Sequence, residues 1–266
     1  MELGAGHKIV KRARRLILQR SARRDEGVLV AEGVSVVRAA LEAGADVEAL
    51  YVAPEAERDC PEVLREAARR GLRLHRLGAG VMERIAGTVT PQPVFAVVRW
   101  KDARLDELSG ADLVLVGVDI RDPGNAGTLL RSAEAAGAAA VVLCAGSVEV
   151  TNPKTVRASA GSIFHVLVVE GGDPLEVLDV LAQMGLHRLG AVAHGGEPHD
   201  QIDLTRPVAL VVGNEAWGLP ESVDRLLDGR VTIPHVGRAE SLNVGMAASI
   251  LLFEARRQRS AAGEKS

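Results

Sequence analysis

Six short apolar runs dominate the second half of the chain: LVLVGVD (113–119), AAVVLC (139–144), FHVLVV (164–169), LGAVA (189–193), VALVVG (208–213) and RVTIP (230–234). A strand with one wet face must alternate apolar with polar residues. These runs are near-continuously apolar, the pattern of strands covered on both faces. Between and after them run helical segments. The last, from Ser241 to about Gln258, places Val244, Ala247, Ala248, Leu251, Leu252 and Ala255 along one face. This pattern predicts an α/β fold, a parallel sheet flanked by helices.

The preceding region has a different rhythm. Between Gly27 and Val98 the runs GVLVAEG, VEALYVA, LRLHRL and VFAVV are separated by helical stretches such as Ser35 to Glu42 and Pro61 to Arg70, which predicts a smaller α/β domain. The segment RWKDARLDELSGA that follows is polar and lacks strand character. The expected organisation is therefore a basic helix over 1–26, a small domain over 27–99, a linker over 100–111 and a larger domain over 112–266.

Charge is unevenly distributed. Residues 1 to 24 carry eight basic side chains against Glu2 alone, a balance of plus 7 beneath a whole-chain charge of minus 3. Arginine forks bind phosphate bidentately, so Arg12, Arg14 and Arg15 are candidate RNA contacts. A solvated amphipathic helix with Ile9, Ala13, Leu16 and Ile17 turned inward explains the same pattern equally well. Aromatic content is only 2%, too low for an RNA surface built from stacked rings. Cys60 and Cys144 lie far apart without metal-type spacing, which argues against zinc and against a disulfide framework and fits a reducing cytoplasm. No apolar run approaches the ~20 residues of a membrane helix, and no signal peptide is expected.

In an open parallel sheet, ligands bind beyond the carboxyl ends of the strands. Three segments fall there: DIRDPGNAGTLLR (119–131), GNEAWGLP (213–220) and IPHVGRAESLNV (233–244). None contains GxGxxG or GxxxxGK[ST], which removes most support for a dehydrogenase or an NTPase. The polar groups placed to converge are Asn125, Arg131, Glu215, Ser241 and Asn243. Singly, each has an ordinary explanation: Asn125 or Ser241 as a helix cap, Gly213 and Gly218 as turn residues. Arg131, among small and apolar neighbours, and Glu215, beside Trp217 in a glycine-flanked loop, fit those explanations least.

Together the segments resemble the SpoU (TrmH-type) ribose 2'-O-methyltransferases of the SPOUT superfamily. The family's first motif matches Asn125, Gly127 and Arg131. Its second matches Gly213, Asn214, Glu215, Gly218 and Leu219, and its third Ile233, Pro234, Ser241, Leu242, Asn243 and Val244. RASAGSIF (157–164) looks like the family's intermediate stretch. Ala216 stands where the family often has Gly, and Gly245 where a small Ser or Ala is common.

The resemblance implies a deep trefoil knot in the C-terminal segment, S-adenosylmethionine bound in a bent conformation, and a homodimer; no metal is expected, since the sequence holds no cluster of metal ligands. It implies cofactor contacts at Leu210, Val212, Gly213, Asn214, Gly218, Thr232, Ile233, Pro234, Ser241, Leu242 and Asn243. It assigns catalytic roles to Asn125, Arg131, Glu215 and Asn243, and adds Arg131 and Arg157 to the RNA-binding residues. Residues 27–98 resemble the small substrate-binding domain that many members carry. Family proposals make the motif arginine a general base, yet a guanidinium loses its proton only above pH ~12. A grip on the target phosphate, with stabilisation of the developing alkoxide, suits Arg131 better. Glu215 would position the ribose or brace Arg131. Ribosomal RNA, of the large subunit, is the expected substrate. Transfer RNA, or a non-catalytic RNA-binding or ribosome-assembly role, is the alternative.

Overall fold

The computed structural model describes residues 2–86, 90–237 and 240–263. Internal contacts divide the chain into two units, Met1–Lys101 with Thr151–His165, and Asp102–Val150 with Val166–Ser266.

The first unit is built on β1 (Val28–Glu32), β2 (Val47–Val52), β3 (Leu74–Arg76) and β4 (Val94–Arg99), in the order β1-β4-β2-β3. β4 runs antiparallel to both neighbours, and β3 is parallel to β2. Its helices are α1 (Lys8–Leu18), α2 (Arg20–Glu26), α3 (Val34–Glu42), α4 (Ala56–Asp59), α5 (Pro61–Arg69) and α6 (Val81–Ile85). The expected single basic helix is thus two, broken at Gln19 in an extended conformation. The break lets Arg23 fold back, so that its Nη1 donates to the carbonyls of Leu16 at 2.8 Å and Ile17 at 3.3 Å, acceptors that the end of α1 would otherwise leave open. Val10, Ala13, Leu16 and Ile17 of α1 are buried in the same core as Val28, Val30 and Phe95, with Ile9 half-buried beside them. Tyr51 stacks on Phe95 at a ring separation of 4.5 Å, and the rest of that core is mostly aliphatic.

The second unit carries β5 (Leu113–Gly117), α7 (Pro123–Ala136) and β6 (Ala140–Leu143). The chain then leaves for the excursion 151–165, which holds α8 (Pro153–Ala158). It returns through β7 (Leu167–Glu170), α9 (Pro174–Gln183), β8 (His187–Ala191), β9 (Glu197–Pro198), β10 (Val208–Val212), α10 (Glu221–Asp224), β11 (Gly229–Thr232) and α11 (Val244–Gly263). The seven strands are parallel and ordered β7-β6-β5-β10-β8-β11-β9. All six apolar runs contribute strands; the two-residue β9 has no signal of its own. Both central strands, β5 and β10, are buried at every residue, as continuous apolar runs require. The chain steps outward from β5 on one side, crosses to β8 and returns into the gap as β10. Strand order therefore reverses between β5 and β10, and that is where an open sheet leaves a crevice.

The excursion departs from a contiguous domain over 112–266. Residues 151–165 pack in the first unit, with α8 against β1. Arg157 Nη1 donates to Glu32 Oε2 at 2.8 Å, and the Glu32 side chain is only 7% exposed. Gly161 (φ 101°) comes so close to α3 that a Cβ there would lie 2.3 Å from that of Ala39. The first two residues of FHVLVV belong to this excursion, so β7 starts late, at Leu167. Among the described residues, no helix is long and apolar enough to cross a membrane.

Candidate active site

The site begins where β5 ends. A Cβ on Gly117 would meet Ile120 and Leu143 at 2.8 Å, so the chain turns at once. Asp119 adopts a left-handed conformation (φ 55°), uncommon outside glycine, and is held there by its bonds. Its carbonyl and Oδ2 accept from Asn214 Nδ2 at 2.8 and 3.0 Å, and Oδ1 accepts from Arg121 Nε at 2.9 Å. Next, Asp122 caps α7, its Oδ1 accepting the backbone N–H of Asn125 at 2.9 Å. Asn125 is therefore not the cap, and its side chain is free to reach across the crevice.

Asn125 Nδ2 donates to Glu215 Oε1 at 2.8 Å, and its Oδ1 accepts from Asn243 Nδ2 at 2.9 Å. Asn243 in turn caps α11, its Oδ1 accepting the N–H groups of Gly245 at 2.9 Å and Met246 at 3.2 Å. Ser241 lies two residues before that cap. A Glu215–Asn125–Asn243 chain thus joins the three sequence-distant segments through side chains alone.

The loop after β10 is closed by mutual backbone bonds, Asn214 N–H to Gly218 O and Gly218 N–H to Asn214 O, both 3.0 Å. Only glycine fits at 213, because a Cβ would fall 2.3 Å from the Gly218 carbonyl carbon. The buried Asn214 completes the turn, its Oδ1 accepting from the N–H groups of Ala216 (2.8 Å) and Trp217 (3.3 Å). Glu215 at the tip also accepts from the N–H groups of Asp122 at 3.2 Å and Arg121 at 3.4 Å. Partial burial pushes its pKa up. The Asn125 amide and the N–H groups of Glu215, Asp122 and Arg121 outweigh that and hold it below the usual carboxylate range. Glu215 is an ionised acceptor that braces the start of α7; it makes no bond to Arg131.

Two adjoining cavities open here. One, of about 480 Å³, has an apolar wall of Ala191, Val192, Val212, Val231, Ala247 and Leu251 and a rim formed by the 213–219 loop, His235 and 240–242. The other, of about 570 Å³ and more open, is lined by Arg121, Asp122, Asn125 and Asn243. Glu215, Ser241, Leu242 and Val244 line both. Of the expected cofactor residues, Val212, Gly213, Asn214, Gly218, Ile233, Ser241 and Leu242 line the first cavity, and Asn243 lines the second. Leu210 is buried inside β10, Thr232 donates its hydroxyl to the Ala193 carbonyl at 3.0 Å, and Pro234 lines neither cavity.

Arg131 is exposed on α7, lines neither cavity and makes no hydrogen bond or ion pair among the described residues. Six residues past Asn125, at 3.6 per turn, it points elsewhere around the helix. Arg157 is committed to Glu32 within the first unit. Arg12 is committed as well: its guanidinium meets Glu48 at 2.5 Å and Glu26 at 2.7 Å, which raises its pKa further, and Arg15 meets Glu26 at 2.5 Å. Arg14 alone of the three is exposed and unpaired among the described residues. Sequence reasoning passed over Arg121, Asp119 and the loop 191–193. The first two stand inside the motif segment but bear no motif letter, and residues 191–193 are simply the tail of the run LGAVA, with nothing in it to mark a cavity wall.

Residues 112–253 match the model of the SpoU rRNA Methylase family, and residues 7–96 that of the MRM3-like substrate binding domain. The chain is 37% identical over 186 residues to the 23S rRNA (guanosine(2553)-2'-O)-methyltransferase RlmP of Bacillus subtilis, covering 70% of this chain and 73% of that one. It is 32% identical over 254 residues to the 23S rRNA (uridine(2479)-2'-O)-methyltransferase of Streptomyces viridochromogenes, covering 92% and 88%. Among solved structures, the SpoU methyltransferase AviRb of Streptomyces viridochromogenes in complex with the cofactor AdoMet superposes with a TM-score of 0.83 at 31% identity, over 96% of this chain and 100% of that one. The crevice at the strand-order reversal, the three motif segments joined across it and the family match over the same residues agree: the chain belongs to the SpoU rRNA methylase family.

Proposed function

We propose that this protein is an S-adenosylmethionine-dependent methyltransferase acting on the ribose 2'-hydroxyl of ribosomal RNA, of the large subunit, in the cytoplasm. The observation that carries the reading is the Glu215–Asn125–Asn243 chain, bordering both cavities where three family motifs converge. The first cavity fits the cofactor: its volume lies in the range of small-molecule sites, its wall is apolar, and residues 191–193 and 213–218, with Ile233 and His235, line it. When bound, the cofactor supplies an electrophilic methyl group on a sulfonium. The chain's own residues then have distinct tasks. Asn125 and Asn243, each with both amide atoms anchored, hold the second cavity's wall in a single geometry, and such fixed orientation carries much of the acceleration of a two-reactant transfer. Glu215 keeps α7 and the 213–218 loop in register.

Arg131 grips the phosphate of the target nucleotide, and we assign it to the site of a second copy of the chain. Its absence from both cavities supports that reading. So do Met246 (57% exposed) and Phe253 (48% exposed), apolar side chains seven residues apart on α11. A homodimer would cover them and bring each arginine to its partner. The trefoil knot implied by the resemblance belongs to the same proposal.

The test is methyl transfer from radiolabelled S-adenosylmethionine to protein-free 23S ribosomal RNA, to ribosomal subunits and to transfer RNA, followed by mapping of the ribose methylation. Transfer to large-subunit RNA is expected. Transfer to tRNA alone would move the substrate. RNA binding without transfer would make the protein a non-catalytic factor. Arg131→Ala is expected to leave cofactor affinity within about twofold and to remove most transfer; near-wild-type turnover would sink its assignment.

A further inference from the structure

Trp217 is 76% exposed in a chain with two tryptophans, one tyrosine and three phenylalanines. A large ring left in water forgoes the burial that usually recommends tryptophan. Its backbone, by contrast, is locked: the Trp217 N–H donates to Asn214 Oδ1 at 3.3 Å, inside the turn closed by the mutual Asn214 and Gly218 bonds. The indole N–H donates to nothing among the described residues. The side chain is thus a ring held out on a rigid post. It stands two residues from Glu215, which lines both cavities, and at the rim of the apolar one. The wall of that cavity is aliphatic, so among the described residues Trp217 is its one six-membered aromatic face.

We propose that Trp217 is a stacking platform for a nucleobase of the substrate RNA at the mouth of the apolar cavity. The chemistry recognised is the flat face of a base, and two sources could present one, the RNA or the adenine of the cofactor. The RNA is assigned, because a ring three-quarters in water belongs to the outer lip that the polymer meets, whereas the buried aliphatic wall is the place for an enclosed adenosine. Stacking reads no base edge, so this contact positions the strand while leaving base choice to other groups. The inference rests on the methyltransferase reading given above.

The experiment uses the full chain and two binding measurements, each with wild type, Trp217→Ala and Trp217→Phe. The first is affinity for protein-free 23S ribosomal RNA by filter retention, the second affinity for S-adenosylmethionine by calorimetry. Trp217→Ala is expected to weaken RNA binding roughly 5- to 150-fold, Trp217→Phe to restore most of it, and cofactor affinity to fall by less than RNA affinity in Trp217→Ala. In Trp100→Phe, where Trp217 is the sole tryptophan, RNA should quench the emission. RNA affinity unchanged in Trp217→Ala, or a loss confined to cofactor affinity, would overturn the assignment. Absence of methyl transfer by the wild type would overturn the methyltransferase reading instead, and leaves both binding measurements readable.

Discussion

Asp228, at the turn into β11, accepts from Arg188 three times: from Nε at 2.9 Å, from Nη2 at 2.8 Å and from the backbone N–H at 2.8 Å. The side-chain bonds of Arg188 come first among the causes that lower its pKa to about 2, against a smaller opposing effect of burial. Because the folded value is depressed, the associated stability is complete above the ordinary carboxylate range near pH ~4 and is lost as pH falls through about 2. The carboxylate is about a third exposed, so solvent screening reduces the contribution to about 1 kcal/mol. Asp228→Asn is therefore expected to cost about 1 kcal/mol at neutral pH, with the gap to wild type closing between about pH 4 and about pH 2 in urea melts. A gap that stays constant over that interval would mean the charge plays no part. At this scale the catalytic candidates were legible unevenly. Asn125, Glu215 and Asn243 carry motif letters and do meet. Asp119 and Arg121 matter through a backbone conformation and through Asp119's bond to a residue 95 positions away, neither of which a letter reveals.

The turn after β10 is where a single methyl group should tell most. A Cβ at Gly213 would collide with backbone atoms of Gly218 and Leu219, at 2.3 to 2.6 Å, and backbone cannot swing aside as a side-chain tip can. Gly213→Ala is expected to cost about 1–3 kcal/mol and to weaken S-adenosylmethionine binding, because the loop it displaces rims the apolar cavity. Gly6→Ala, with nothing within 4 Å of its Cβ, is the neutral control. Differential scanning calorimetry of both variants checks this, and equal melting temperatures would show that the turn tolerates the extra atom. The strands were readable from their apolar runs because burial on both faces leaves few other compositions. The helix starts were less so: the sequence offers Asn125 and Ser241 as caps, whereas Asp122 and Asn243 do the capping, since capping residues are nearly interchangeable in kind and only the local backbone selects among them.

For the molecule as a whole, the basic N-terminus serves two purposes that composition merges. Arg12, between Glu26 and Glu48, and Arg23, capping the end of α1, hold the first unit together. Lys8, Lys11 and Arg14 are exposed and unpaired among the described residues. Replacing these three by Gln is expected to leave the melting temperature within a few degrees and to flatten the salt dependence of RNA binding, by roughly 0.7 to 0.9 in slope for each phosphate no longer neutralised. Arg12→Gln is expected to lower stability instead. Binding titrations over a salt series separate the two, and an unchanged slope in the triple variant would return this surface to plain solvation.

The family, the α/β class and the three motif segments could be read from the residues in order, because strand burial and glycine-bounded turns are local demands that leave local marks. Three outcomes depended on the folded chain: the return of β10 between β5 and β8, the capture of 151–165 by the first unit, and the pairing that takes Arg12 and Arg157 out of the free cations. Each joins residues far apart along the chain. Which partner a buried strand or a guanidinium finds there is set by packing and by the high cost of an unpaired buried charge, and a linear pattern carries neither.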